Sequence, residues 1–238
     1  MKHTARIAAY FAAVSRDLLS SSGEEQTFQR IAERAVEVVP PCDFVAITRR
    51  RKGNLPETIA STSPAAEVCD RLQYELDEGP CLSAAADDEA YLVGDVATDP
   101  RWPRWGPMVA KHGVGSILSV RMADDEQTLG VLNMYAGKAQ AFTENDVDLA
   151  LVFASHAATA ISVTQLVDGL QTALQSRHVI GVAQGILMHK HDMDLETAFD
   201  VLCRYSSHAN VKLRDVAQQV VDLRSLPETD RHAGASRP

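Results

Sequence analysis

From Thr143 to Leu174 the apolar positions fall into two interleaved seven-residue series, Leu149, His156, Val163, Leu170 and Phe153, Ala160, Val167, Leu174. A repeat of about 3.5 residues keeps one stripe on one side of a helix, so the segment is predicted to be a helix of about thirty residues whose stripe needs cover. Thr143 suits its N-cap, with Asp146 at the third helical position. A sheet of the same chain or a partner helix would cover the first half equally well. Past Val167 no strand pattern remains, so Val163, Val167, Leu170 and Leu174 call for a partner helix. Ile7, Phe11, Val14 and Leu18 repeat the spacing near the N-terminus, and with Ile7 and Phe11 the expected contact is a four-helix homodimer. His156 on the seam reads as a satisfied core histidine rather than a ligand or pH switch.

The residues before Thr143 keep a different rhythm. A second helix follows Gly23 and runs through Phe28, Ile31, Ala35 and Val38 to a stop at Pro40 and Pro41. Five short β-branched or apolar runs come next: FVAIT (44–48), ETIAST (57–62), YLVGDV (91–96), SILSVRM (116–122) and LGVLNMY (129–135). ADDEQT between the last two reads as a hairpin turn, and RRRK (49–52) as a solvated hairpin tip rather than a phosphate grip. Shorter helices fit at 64–76, after Pro80, and from Trp105 to His112. Helices before, between and after the strands predict an α+β domain around one sheet. After Leu174 three amphipathic segments follow. The first carries Val179, Ala183, Ile186 and Leu187. The second, capped by Asp194, carries Ala198, Phe199, Leu202 and Tyr205. The third, with Asn210 as its expected N-cap, carries Leu213, Val216, Ala217 and Val220. Together they predict a small helical bundle.

Charge divides the chain in the same place. Residues 1–170 hold 15 basic and 24 acidic side chains, whereas 171–224 hold 6 and 6, and the whole chain is at −9. Such a balance excludes a protein that coats nucleic acid or anionic membrane by bulk charge, but it leaves room for a locally basic face on the bundle. Four cysteines, at 42, 69, 81 and 203, form no CxxC pair and read as reduced thiols. The N-terminus is a poor signal peptide, and the most apolar helical stretch, 149–163, holds Ser155 and His156, so a cytoplasmic protein is expected.

Few residues suggest chemistry. GVAQG (181–185) lacks the Lys-Ser/Thr of a phosphate loop and lies inside helical periodicity, so its glycines suggest close helix packing or close approach of a partner. His189 and His191, two apart on a helix, cannot share a metal, and no metal site or cofactor is expected. DPRWPRW (99–105) reads either as a surface that stacks on a ligand or as an anchored lid over the core. Cys81 follows Gly79 and Pro80 near a helix start, where a lowered pKa would make it the best candidate for a reactive thiolate, but a buried, inert thiol is the preferred reading.

Residues 25–165 resemble a GAF domain. The likeness rests on DEGPCLSA (77–84), YLVGDV, the DPRWPRW loop, and GVGSILSVRM followed by LGVLNMYAG. It implies an antiparallel sheet with helices on both faces and a pocket on one side, without naming a ligand. Cys81, Trp102 and Trp105 are the expected pocket residues. Residues 166–224 resemble an ANTAR domain, the RNA-binding module of transcription antiterminators. Arg177, Ile180, Ala183, Gly185, Leu187 and Met188 match its first helix. Ala198, Phe199, Leu202 and Ser206 match the second part, and NVKLRDVA from Asn210 to Ala217 matches the last. Gln184 stands where the family usually has Lys. The expected RNA-facing set is Arg177, Gln184, Lys190, Lys212 and Arg214.

The resulting organisation is an N-terminal helix (1–22), a GAF sensor domain (23–165), a long connecting helix leading into a three-helix ANTAR bundle (166–225), and a disordered tail (226–238). The resemblance implies a signal-responsive antitermination regulator that binds RNA stem-loops, not an enzyme. The alternatives are a thiol enzyme resembling the GAF subgroup that reduces free methionine sulfoxide, using Cys81 and Cys69, or a ligand-sensing scaffold whose bundle binds protein.

Overall fold

Strands β1 (Phe44–Arg49), β2 (Glu57–Ser61), β3 (Ala90–Val93), β4 (Ser116–Ala123) and β5 (Thr128–Ala136) form one antiparallel sheet in the order β2-β1-β5-β4-β3. In this computed structural model, residues 2–49, 55–86, 90–124 and 127–226 are described, the side chains of 2–8 and 86 excepted. The RRRK tip beyond Arg49, the centre of the ADDEQT turn and residues 227–238 lie outside them.

Pairing register decides which side chains share a face, because successive residues of a strand alternate sides. Ala46 and Ser119 both lie opposite Asn133, and Phe44 and Ile117 lie opposite Tyr135. One face therefore carries Val45, Ile47, Leu118, Val120, Met122, Leu132 and Met134. Helices α1 (Lys2–Leu18), α2 (Glu24–Val38) and the first half of α6 (Glu144–His191) cover it, through Phe11, Phe28, Ile31, Phe153, Ala157 and Ile161. The opposite face carries Ala46, Thr48, Ile117, Ser119, Asn133 and Tyr135. It lies under α3 (Pro64–Leu76), α4 (Pro80–Ala86) and α5 (Trp105–Ala110). The fold is thus α+β with helices on both faces of the sheet. Each fully buried large apolar side chain contributes about 1.5–3 kcal/mol, so truncating Phe153, which has no exposure, would cost this core about 3–5 kcal/mol.

Local chemistry sets the element ends. The Ser63 hydroxyl accepts the Ala65 N–H at 3.2 Å and Pro64 starts α3, while Asp77, in the left-handed conformation at φ 51°, closes it. Gly106 lets α5 press on the chain after β3: a Cβ there would stand 2.0 Å from the Val96 carbonyl oxygen. At the start of α6 the Asp146 carboxylate accepts both the N–H and the hydroxyl of Thr143, at 2.8 and 2.6 Å.

Contacts divide the chain into two compact units, Met1–Leu166 and Val167–Pro238. In the second, the C-terminal part of α6 joins α7 (Leu195–Ala209) and α8 (Leu213–Leu223) around Ala183, Leu187, Ala198, Leu202, Val216, Ala217 and Val220. Two details correct the sequence reading. The first bundle segment is not a separate helix: α6 runs 48 residues without a break, because nothing between Leu174 and Val179 interrupts a helix. Asn210 does not begin α8. It ends α7 at φ 51°, a conformation Asn tolerates, and the Lys212 carbonyl at the start of α8 accepts the Asp215 and Val216 N–H groups. Asp194 does cap α7, accepting the Thr197 N–H at 2.7 Å.

By length and composition α6 is apolar enough to cross a membrane. In its first half, however, Ala150, Phe153, Ala154, Ala157, Ala158, Ala160 and Ile161 are buried in the core of the first unit.

Candidate functional site

Under α3 the sheet carries polar side chains at its centre, and they converge on one carboxylate. Asp70 is fully buried on α3. Its Oδ1 accepts from Tyr135 Oη at 2.5 Å, Asn133 Nδ2 at 3.0 Å and Gln73 Nε2 at 3.4 Å. Its Oδ2 accepts from Thr48 Oγ1 at 2.8 Å, Thr58 Oγ1 at 3.1 Å and Tyr74 Oη at 3.3 Å. Burial pushes the Asp70 carboxyl above its usual range, against the hydrogen bonds from Tyr135 and Thr48 that favour the charged form. Burial and the Asp70 charge together raise Tyr135 and Tyr74. Gln73 extends the network by accepting the Cys81 N–H on Oε1 at 2.9 Å. That reach depends on Gly79, where a Cβ would stand 2.1 Å from the same oxygen.

Beside this network a cleft of about 130 Å³ opens between Thr48, Pro56, Cys81, Leu82, Ala85, Thr128, Gly130 and Val131. Of the three expected pocket residues only Cys81 lines it. Trp102 and Trp105 are packed into the core, because they fill the space between α3 and the sheet. Trp105 Nε1 donates to the Cys69 carbonyl at 3.2 Å, and the Glu78 carboxylate accepts the N–H groups of Arg104 and Trp105. Arg101 lies over the Trp102 ring at 4.5 Å and is held by Asp99 through its Nε and a terminal nitrogen, at 2.9 and 2.6 Å. The loop is an anchored lid and its rings are not a ligand-stacking surface.

Burial decides between the two readings of the thiols. Burial, with the nearby Asp70 charge, pushes Cys81 up to about 12, and the same causes push Cys69 up to about 12. Desolvation outweighs the helix N-terminus, so neither is a thiolate at neutral pH.

On the second unit Arg177, Lys190, Lys212 and Arg214 are exposed. Arg214 Nε sits 3.4 Å from Asp215 Oδ1 in an exposed ion pair, which holds it weakly. Gln184 Nε2 donates to the Leu195 carbonyl at 3.1 Å and so clasps the start of α7 to α6. Lys190 Nζ donates to the Arg224 carbonyl at 3.3 Å, at the end of α8, apart from the Gln184 clasp. A Cβ at Gly181 or Gly185 would meet nothing within 4 Å, so neither glycine serves close packing inside the unit. Along α6, Val163, Leu166, Val167, Leu170 and Leu174 are exposed, up to 67% at Leu174. Phe11 is covered by its own chain, stacked on His156 at 5.4 Å, and is not available to a partner. His156 Nδ1 lies 2.9 Å from the Ser15 hydroxyl, the partner a core histidine needs. The Ile7 side chain lies outside the described residues.

A family model described as GAF domain matches residues 21–162, more than half of the chain, and one described as ANTAR domain matches residues 168–221. The chain is a GAF-family protein that carries an ANTAR domain. Its fold is similar to the free methionine-R-sulfoxide reductase of Neisseria meningitidis, with a TM-score of 0.52, 14% identity and coverage of 65% of this chain and 87% of that one. The GAF domain of an Acinetobacter phosphoenolpyruvate-protein phosphotransferase gives a TM-score of 0.51 at 14% identity, over 66% and 92% of the two chains. The bacteriophytochrome RpBphP3 of R. palustris gives a TM-score of 0.57 at 10% identity, over 76% of this chain and 42% of that one. At such identities the likeness concerns the fold alone. No curated protein matches the sequence.

GAF followed by ANTAR is the architecture of a signal-regulated RNA-binding regulator. The structure also gives a packing reason for one ANTAR motif position. Ser206 Oγ donates to the Val211 carbonyl at 2.6 Å and fixes the α7–α8 turn. Asp70, Thr48 and Asn133 escaped the sequence reading. The visible signal was a Thr, a Ser and an Asn within otherwise largely apolar strands.

Proposed function

We propose that this GAF–ANTAR protein is a cytoplasmic, homodimeric transcription antitermination regulator that binds paired stem-loops in nascent RNA. The observation that carries the reading is α6, which supplies Phe153 and Ile161 to the GAF core and Ala183 and Leu187 to the ANTAR core. Between these positions lies the exposed series Val163, Val167, Leu170 and Leu174, which a second copy of the same helix would cover. A dimer presents two ANTAR domains to two neighbouring loops, and the second contact is then favoured by effective concentration. Recognition falls on unpaired loop bases, because the deep groove of A-form RNA cannot be read by side chains. Arg177, Lys212 and Arg214 supply charge, and Gln184 supplies an amide at the α6–α7 junction. The signal reaches the GAF domain either as a molecule small enough for the cleft beside Cys81 or as a protein partner. It acts only through a difference in affinity between two states of the chain.

Crosslinking RNA to the protein in its own cells and sequencing it tests the reading. The expected result is enrichment of leader RNAs that carry two adjacent stem-loops ahead of a terminator. Recovery of bulk RNA without such elements would end it.

A further inference from the structure

We propose that the groove between the last turns of α6 and α8 is a nucleotide-backbone site, where Lys190 and Arg224 hold an RNA phosphate and Ile186 and Val221 take the adjoining sugar or base. The inference rests on the RNA-binding reading above and adds a site to it. Ile186, His189 and Lys190 from α6, with Val221 and Arg224 from α8, line one open groove of about 560 Å³. Its floor is aliphatic, since Ile186 and Val221 pack on the edge of the bundle core. Its rim is cationic. Lys190 Nζ touches only the Arg224 carbonyl, at 3.3 Å, and neither Lys190 nor Arg224 has a carboxylate in ion-pair range among the described residues.

The charge balance favours an anion. Helix α6 ends at His191 and α8 at Leu223, and each C-terminus brings roughly half a negative charge. Lys190 and Arg224 bring two positive charges, so the balance of these groups stays near +1. The acids nearest in sequence, Asp192 and Asp222, are not among the lining residues, and Asp222 Oδ1 accepts from Gln218 Nε2 at 2.8 Å. An acidic peptide would meet the same cations. A nucleotide alone pairs one phosphate with a sugar and a flat base for the aliphatic floor.

The probe is a fluorescein-labelled pool of stem-loop RNAs with randomised loops, titrated by anisotropy against the full chain at 50 and 200 mM KCl. Lys190→Gln and Arg224→Gln each remove a charge but keep a side-chain donor, so the Lys190→Gln amide still offers an N–H toward the Arg224 carbonyl, and circular dichroism checks helicity. Each variant is expected to bind about fivefold more weakly at the lower salt and to lower the slope of log affinity against log salt by about 0.7. Lys190→Arg should restore both. If the wild type binds the pool and both Gln variants match it in affinity and slope, the groove is not the site while the RNA reading stands. If the wild type does not bind the pool at either salt, both fall. If polyglutamate displaces the RNA at equal charge concentration, the groove is a site for acidic peptides and the nucleotide assignment is overturned.

Discussion

In the GAF unit six side chains turn inward to donate to Asp70, which has no exposure, whereas in the ANTAR unit Arg177, Lys190, Lys212 and Arg224 are all exposed. Both units bury a conventional apolar core, so the contrast lies in what each does with its polar residues. Inward polar groups cost desolvation and repay it only in one geometry, so they fix a single arrangement of α3 on the sheet. Outward charges cost little and stay free for a partner. The GAF unit is accordingly built to hold one shape around a small cleft, and the ANTAR unit to offer a charged surface.

The comparison breaks most visibly at Asp70. Asp70→Ala should destabilise the GAF unit by about 3–5 kcal/mol, since it strands buried donors and leaves a cavity, and urea unfolding would show it. A loss below about 1 kcal/mol would mean that the network is incidental. Next comes the exposed stripe of α6. Light scattering should find a dimer for the wild type at micromolar concentration. Val167→Glu combined with Leu170→Glu should weaken it by about a hundredfold, through charge placed on an apolar seam. A monomeric wild type would remove the dimer.

On the ANTAR side, Arg214→Ala should cost about 1–3 kcal/mol of RNA affinity, read by hairpin titration, while Gln184→Lys should tighten binding and still reach the Leu195 carbonyl. Unchanged affinity in both would take these residues out of the interface.

A smaller effect concerns pH. The folded Asp70 pKa lies above its unfolded value of 3.8, so the folded state keeps a proton that the unfolded chain has lost. The contribution to stability is complete below the unfolded value and is lost as pH rises through the folded one. The stability of wild type relative to Asp70→Asn should therefore fall from about pH 4 upward, by at most about 1.4 kcal/mol per pH unit. A difference that does not vary with pH would contradict the buried-acid assignment. Smallest of all, Arg214→Ala should change folding stability by less than about 0.5 kcal/mol, because its pair with Asp215 is exposed; a larger loss would make Arg214 structural.

The order and type of the elements were legible because they follow from nearest-neighbour chemistry. Pro64 after Ser63 starts α3, Asp194 caps α7, and the 2- and 3.6-residue periods separate strands from helices. The stripe of α6 was legible as well, and the structure leaves Val163, Val167, Leu170 and Leu174 of it exposed. Asn210 misled because its αL preference serves equally well to end one helix or to precede the next, and only the clasp between Ser206 and Val211 selects the first.

The sequence by itself determined the α+β order, the GAF and ANTAR regions and the neutral charge of the ANTAR segment. Only the tertiary structure decided which polar residues face inward. Thr48, Asp70, Asn133 and Tyr135 come from β1, α3 and β5, and the bond from Asn133 to Thr48 alone spans 85 positions of the chain. It also decided that Trp102 and Trp105 are core, that Phe11 is covered by its own chain, that Cys81 is a raised thiol on a cleft, and that Lys190 meets Arg224. The physical reason is common to all of these. Helix and strand formation depend on residues a few positions apart, whereas burial, desolvation and hydrogen-bond partners depend on segments that become neighbours only when the chain has packed.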